Sequence, residues 1–436
     1  MDVPAAHHDA GAPGLVIVGA GPAGLMAAIV AARAGAPVTV LEAGPRPGRK
    51  LLASGGGRCN LTNTLPVAEF VARFGGHGRF MLPSLAGLDH HGLRRFLADL
   101  GVATHAPDGF RVFPEGHRAA DVLTALLGEL ERLRVTVRTG CPVTGLLADG
   151  GRVTGVQTAG GPVPARAVIM ATGGCGYPQL GGDLSGCRVA EAAGHRLAPA
   201  HPGMVGLVVR ETWPATCTAH TVPRAVLRLR RPGKRLVEGR GDLIFTAGGL
   251  AGPVVLDLAR EITPLLAEHG ELPLTLHLNA HGEDRWRDRL QSARAATPAE
   301  PVARHLAGAE GIPRDLAAVH CAAADVPADH PLERLDRRAL GRLAAALHRL
   351  TVTVTGHAGW DHAMVMRGGV SLKDVHPDTL ESRHLPGLYF AGEMLDLDGP
   401  CGGFNLQWSF ASGHHAAQAA TLPPPAPSPR GMDQRS

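Results

Sequence analysis

Lysine is nearly missing from this chain: Lys and Arg together number 43, yet lysine occurs only at Lys50, Lys234 and Lys373. Arginine carries the positive charge, which with the Ala, Gly and Pro bias reads as genomic composition rather than function. The formal net charge of +4 over 436 residues implies neither a nucleic-acid partner nor a membrane surface. Paired cysteine spacing is also lacking. Cys59, Cys141, Cys175, Cys187, Cys217, Cys321 and Cys401 form no CxxC and no zinc-like Cys/His set. No metal site is expected, and a reducing cytosol is the natural setting. The longest apolar stretch is broken by glycines and a proline, so no membrane span is read. MDVPAAHHDA has no basic region ahead of an apolar core, so no secretory signal is read, and the expected location is cytoplasmic.

What is present is a globular profile, 44% hydrophobic and 19% charged, long enough for two or three domains. The most informative stretch is Leu15 to Glu42, LVIVGAGPAGLMAAIVAARAGAPVTVLE. Leu15–Val18 is a short apolar run of buried-strand type, Pro22–Ala34 an Ala-rich helix, and Pro37–Leu41 a β-branched strand. Gly19 permits the tight turn between them, Gly21 lets a pyrophosphate approach the backbone, and Gly24 lets the helix pack on the strand. The helix N-terminus then offers free N–H groups to phosphate. Glu42 lies eighteen residues beyond Gly24, where a carboxylate bonds ribose hydroxyls and would repel a 2′-phosphate.

Ala43 to Asn63 has no period, and its Gly55-Gly56-Gly57 triplet cannot be an element interior. Arg49, Lys50 and Arg58 would bring charge beside the phosphates, and Asn60, Thr62 and Asn63 hydrogen bonds. Pro83–Leu100 and Arg118–Arg134 read as helices. Val135–Arg138, Val143–Ala148 and Arg152–Thr158 read as a small antiparallel meander. It returns to an apolar strand, Ala167–Ala171, that ends in Thr172-Gly173-Gly174, a pattern of FAD-binding rather than NAD-binding two-dinucleotide folds.

From about Arg196 to Ala358 the character changes. Ala225–Arg230 alternates as a half-buried strand; its arginines form no base-binding patch, since no aromatics interleave. Helical segments follow over Asp257–Glu268, Glu283–Ala296, Pro301–Leu306, Pro313–Ala324 and Asp336–Arg349, before β-branched Thr351–Thr355. Near the end, Leu388–Ala391 is a buried strand stopping at Gly392-Glu393, and Gly402-Gly403 opens a helix over Phe404–Ala419. That helix start would face a flavin ring edge where negative charge develops, and Glu393 a ribityl hydroxyl.

GAGPAG, RKLLASGGGRCNLTN, GFRVFP, ATGGCGYP, GDLIFTAGGLAGP, VMRGGVSLKDVHP and LPGLYFAGEMLDLDGPCGGFNLQWSFASG together resemble one bacterial FAD-dependent oxidoreductase family. It is described as aminoacetone-oxidase-like and includes a reductase of bile-acid enones. The resemblance spans nearly all of residues 15–420. It implies an α/β fold: a Rossmann-like FAD-binding domain of glutathione-reductase type, formed by both chain ends and interrupted by a β-barrel-like domain with a helical insert. The expected partition is a disordered leader at 1–13, a split FAD domain at 14–195 plus 356–421, and a barrel at 196–256 plus 336–355. A helical insert at 257–335 and a disordered tail at 422–436 complete it.

By position, the resemblance places Gly19, Ala20, Gly21, Pro22, Ala23 and Gly24 on the pyrophosphate and Glu42 on the adenosine ribose. Lys50, Gly57, Arg58, Cys59 and Asn60 would line the phosphate and flavin region, with Val143 at the adenine. Thr172, Gly173, Gly392 and Glu393 would meet the cofactor, and Gly403, Phe404 and Asn405 the isoalloxazine pyrimidine edge. The family's Thr/Ser-rich stretch after Tyr177-Pro178 is replaced here by Gln179–Gly186, QLGGDLSG.

The function this implies is hydride transfer through flavin N5 to or from a small organic molecule, by enone reduction or amine/ketone-type oxidation. No second GxGxxG appears in a strand–helix context, so any NADH or NADPH would bind transiently. A flavin-dependent nucleic-acid modifier and a flavin redox sensor using Cys401 are the alternatives. Arg58 and Tyr177 are the candidate catalytic residues, because their segments flank the expected flavin. Neither substrate nor oligomeric state is legible.

Overall fold

Five short strands pair in parallel, in the order Leu388–Phe390, Ala167–Met170, Leu15–Val18, Val38–Leu41, Thr136–Arg138. Leu15–Val18 has neighbours on both sides and is wholly buried, which is why it reads as unbroken hydrophobicity instead of alternation. The computed structural model describes residues 13–218, 220–230, 236–278, 281–308 and 311–422. Apart from Pro13 and Leu422, the expected leader and tail lie outside the described residues, as does Lys234.

The chain divides into two units, one from Met1–Ala200 and Met366–Ser436, the other from His201–Val365. In the first, helix Pro22–Arg33 begins with its proline in the first turn, where a missing N–H costs nothing, and gives way to left-handed Gly35. It is buried along most of its length because helix Phe404–Thr421 lies against it. The two approach so closely that a Cβ at Gly413 would lie 2.1 Å from the Ala23 carbonyl oxygen. The two ends of the sequence thus make one α/β domain of Rossmann type.

Three local readings are corrected. Val135–Arg138 is not part of the meander: Thr136–Arg138 extends the parallel sheet, and the meander is Val143–Asp149, Arg152–Thr158 and Gly161–Pro164. A three-residue edge strand has no period, so nothing local reveals its partner. Pro83–Leu100 is two helices, Leu82–Gly87 and His90–Asp99, the second capped by Asp89 accepting from Gly92 N–H at 2.7 Å. Leu272–His277, expected within the helical insert, is a barrel strand.

In the second unit, Leu207–Val209, Gly249–Ala251, Val237–Thr246, Thr221–Leu229, Leu272–His277 and Leu350–His357 close into a six-stranded barrel. Period-two alternation fills it: Ala225, Leu227 and Leu229 on one strand meet Leu243, Phe245, Leu274, Leu276, Val352 and Val354 in a common core. Helix Pro253–His269 contributes Val254, Leu258 and Ile262 to the same core. Helices Glu283–Ala296, Val302–Gly308, Arg314–Ala323 and Arg337–His348 have a separate core around Trp286, Leu290, Leu343 and Leu347.

Candidate functional site

The glycines of the first turn do three different things. Gly19 has φ +101°, and a Cβ there would lie 2.5 Å from Ala171 O. A Cβ at Gly24 would lie 1.9 Å from Gly19 O, so helix and turn require hydrogen at that position. Gly21 meets nothing within 4 Å, so its face is open for a ligand. Ala20 and Ala23 are buried, the latter beside Gly392, and Pro22 starts the helix.

Glu42 closes this corner. One carboxylate oxygen accepts from Ala20 N–H at 2.8 Å and the other from Gly44 N–H at 2.7 Å. Each oxygen keeps a lone pair, and the two backbone donors hold the group as an oriented anion.

At the carboxyl ends of the next strands, residues far apart in the chain meet. Lys50 Nζ donates to Glu393 Oε2 at 2.7 Å and lies 3.4 Å from Gly174 O. Glu393 Oε1 accepts from Met366 N–H at 2.8 Å. A Cβ at Gly173 would lie 3.7 Å from Glu393 Oε2, placing ATGG beside this pair. Thr172 Oγ1 reaches Met394 Sδ at 3.8 Å. Gly392, at φ +77°, gives its N–H to Ser412 Oγ and its carbonyl to Trp408 Nε1, which pins the strand end to the last helix.

The loop after helix Arg49–Ala53 is left-handed. Gly55, Gly56 and Gly57 have φ of +57°, +66° and +84°, and nothing lies within 4 Å of a Cβ at Gly56. Cys59 follows at φ +61°, an unusual conformation for a non-glycine residue. Its thiol is fully buried, and burial pushes its pKa up to about 12, so it is an inert packing group. Arg58 is exposed, with Cζ 5.5 Å from the Phe113 ring centroid and Nε bonded to Gly55 O at 3.3 Å. Asn60, with its amide oriented to suit its neighbours, accepts from Gly403 N–H at 3.1 Å and donates to Thr62 O at 3.2 Å.

That bond ties the loop to the start of the last helix. Gly403 is left-handed, and a Cβ there would lie 2.4 Å from Thr62 O. Phe404 is buried against Phe70 at 4.8 Å between ring centroids. Asn405 exchanges two hydrogen bonds with the Gly399 backbone, at 2.8 and 2.9 Å. Tyr177 is half-buried at φ +53°, and burial raises its phenol above its ordinary pKa. Val143 is buried at the start of the meander.

Residue reading missed the Lys50–Glu393 contact and the Asn405–Gly399 clamp. The first joins positions 343 apart, and no local signal announces either.

An open-faced glycine turn, an oriented ribose-type acid and a second glycine pair at neighbouring strand ends define a Rossmann-fold FAD-dependent oxidoreductase. Residues 13–419 match the HI0933-like protein Rossmann domain, and the chain belongs to that family. It is 34% identical over 416 residues to the 3-dehydro-bile acid delta(4,6)-reductase of Clostridium scindens, covering 94% of this chain and 99% of the relative. It is 29% identical to the ribosomal RNA dihydrouridine synthase of Escherichia coli, covering 92% and 96%. Among solved structures, the fold is similar to a 3-ketosteroid delta1-dehydrogenase from Sterolibacterium denitrificans at TM-score 0.52 and 14% identity, covering 94% and 99%. It is also similar to a 3-ketosteroid-delta4-(5alpha)-dehydrogenase from Rhodococcus jostii RHA1, at TM-score 0.50 and 19% identity, covering 94% and 97%. Among the described residues no helix is long and apolar enough to cross a membrane. Among the same residues no group of three or more His, Cys, Asp or Glu could hold a metal ion.

Proposed function

We propose that this protein reduces a carbon–carbon double bond conjugated to a carbonyl, using FAD and a hydride donor of the NADH or NADPH type. The carrying observation is the full-length likeness to the delta(4,6)-reductase. One relative is named a 3-dehydro-bile acid delta(4,6)-reductase and another a ribosomal RNA dihydrouridine synthase, and reduction of a conjugated double bond is the chemistry we read as common to the two names.

FAD fits the residues present. The open face of Gly21 and the left-handed, unobstructed Gly56 are cradles that a Cβ would narrow, and Glu42 is an oriented acceptor for ribose hydroxyls. Gly19, Ala20, Pro22, Ala23 and Gly24 shape the pyrophosphate turn. Lys50, Gly57, Arg58 and Asn60 would form the wall that follows, with buried Cys59 packed behind it, and Val143 would cover the adenine. Thr172, Gly173, Gly392 and Glu393 border the ribityl chain, and Gly403, Phe404 and Asn405 the ring edge. Bound FAD supplies two-electron chemistry at ring N5. Arg58 offers fixed positive charge to a substrate carbonyl, and Tyr177, kept protonated by burial, a hydroxyl proton.

A second reading, ribosomal RNA reduction, rests on the two dihydrouridine synthase relatives at 29% and 28% identity. Arg228 and Arg240 on the barrel both pair with Glu238, which lessens the positive charge that face offers to RNA.

The test is anaerobic reduction of the purified flavoprotein with NADH and NADPH, then reoxidation by a 3-oxo-Δ4 steroid, a cyclic enone, unmodified ribosomal RNA and oxygen. Rapid turnover with an enone supports the reading. Reoxidation by RNA alone replaces it with the second, and bleaching by neither nicotinamide removes the proposed donor.

A further inference from the structure

Beside the Arg58 loop lies a histidine pair that the flavin site does not use. Thr104–His105 pairs antiparallel with Arg111–Pro114, and His117 follows the turn after that strand. His105 Nε2 and His117 Nε2 are 2.8 Å apart, so one proton is shared between them. His117 is held at φ +50°, a costly conformation for a residue with a side chain. Its Nδ1 is buried with no hydrogen-bond partner among the described residues.

A buried N–H without an acceptor is rarer than a buried acceptor without a donor, so these facts favour one tautomer. A proton on His117 Nδ1 would be a buried donor with no acceptor, which folded proteins almost never keep. The proton therefore sits on His117 Nε2 and is donated to His105 Nε2, leaving His105 protonated at Nδ1. The His117 ring lies against Phe113, with centroids 5.4 Å apart. Phe113 is the ring over which Arg58 stands at 5.5 Å and Arg111 at 5.9 Å.

We propose that His105 and His117 are positioning residues for Arg58. Their shared proton holds the His117 ring, which holds Phe113, which supplies the platform for the Arg58 guanidinium. Removing the acceptor at position 105 frees the His117 ring, and the platform loosens. The charged groups around the pair are Arg58 and Arg111 over Phe113, Arg94 on Thr104, Glu115 next to the turn, and two carboxylates already paired to arginine. Those are Asp108 with Arg111 and Asp121 with Arg118. The inference rests on Arg58 touching FAD, as proposed above.

The test titrates the apo full-length chain and its variants with FAD by flavin fluorescence. His105→Gln, which still accepts from His117 Nε2, is expected to keep the wild-type affinity. His105→Leu is expected to weaken FAD binding about tenfold, the weight of one lost buried hydrogen bond, and Arg58→Gln to weaken it as well. Long-range proton–nitrogen spectra of the wild-type chain show His117 protonated at Nε2. A His105→Leu variant that binds like wild type while Arg58→Gln binds weakly overturns the positioning role. An Arg58→Gln variant that binds like wild type removes Arg58 from the flavin site itself, a separate failure.

Discussion

Glu42 illustrates how much one side chain can carry. It accepts from Ala20 and Gly44 N–H groups, so Glu42→Ala strands two backbone donors. The variant is expected to lose about 1–3 kcal/mol of stability, readable as a lower melting temperature. FAD affinity should fall about tenfold with it, as the ribose loses its acceptor. Lys50→Gln removes the cation from Glu393, and about a tenfold weaker FAD affinity in an absorbance titration is expected. His320 has a different role. It is buried beneath helix Arg337–His348, gives its Nδ1 proton to Ala346 O at 3.0 Å, and burial lowers its pKa from 6.5 to about 4. Because the folded pKa lies below the unfolded one, stability is full above about pH 6.5 and drains as pH falls towards 4. The total is about 3 kcal/mol. His320→Gln should flatten that part of the denaturation midpoint against pH; an unchanged slope would refute it. The turn glycines Gly19 and Gly24 were legible because each answers a local geometric demand. Lys50–Glu393 was not, since its meaning depends on where two distant strands end.

Among the elements, helix Phe404–Thr421 packs on helix Pro22–Arg33 with no room for a side chain at Gly413. Gly413→Val must push the two apart, so the substitution is expected to cost about 1–3 kcal/mol or more and to lower flavin content on purification. The same substitution at Gly128, which has nothing within 4 Å, is the control and should cost no more than about 1 kcal/mol. The first βαβ unit was readable because its apolar run, glycine spacing and helix period agree with one another. Thr136–Arg138 was not, because three residues carry no period and parallel pairing is non-local. Leu272–His277 was hidden for a related reason: Leu272, Leu274 and Leu276 alternate correctly, but helical segments flank them on both sides.

For the whole molecule, the barrel has a core of its own, so a ligand gripped by the parallel-sheet unit need not protect it. FAD at about a hundredfold excess over its Kd should raise the stability of the unit containing the parallel sheet by about 2.7 kcal/mol. Hydrogen exchange should slow at Leu15–Val18 and Ala167–Met170 and stay unchanged in the barrel strands. Slowing in Val352 and Val354 as well would show that the cores unfold together.

The contact of Gly413 with Ala23 also sets a timetable for synthesis. Ala23 leaves the ribosome early, and its partner helix is translated about 380 residues later, which at about 5–20 residues per second is roughly 20–80 s. Through that interval the apolar flank of the first helix has no lid, and the nucleotide pocket exists only as a half. Nascent chains released before Phe404 should retain no flavin and should be bound by chaperones, whereas those released after Thr421 should emerge yellow.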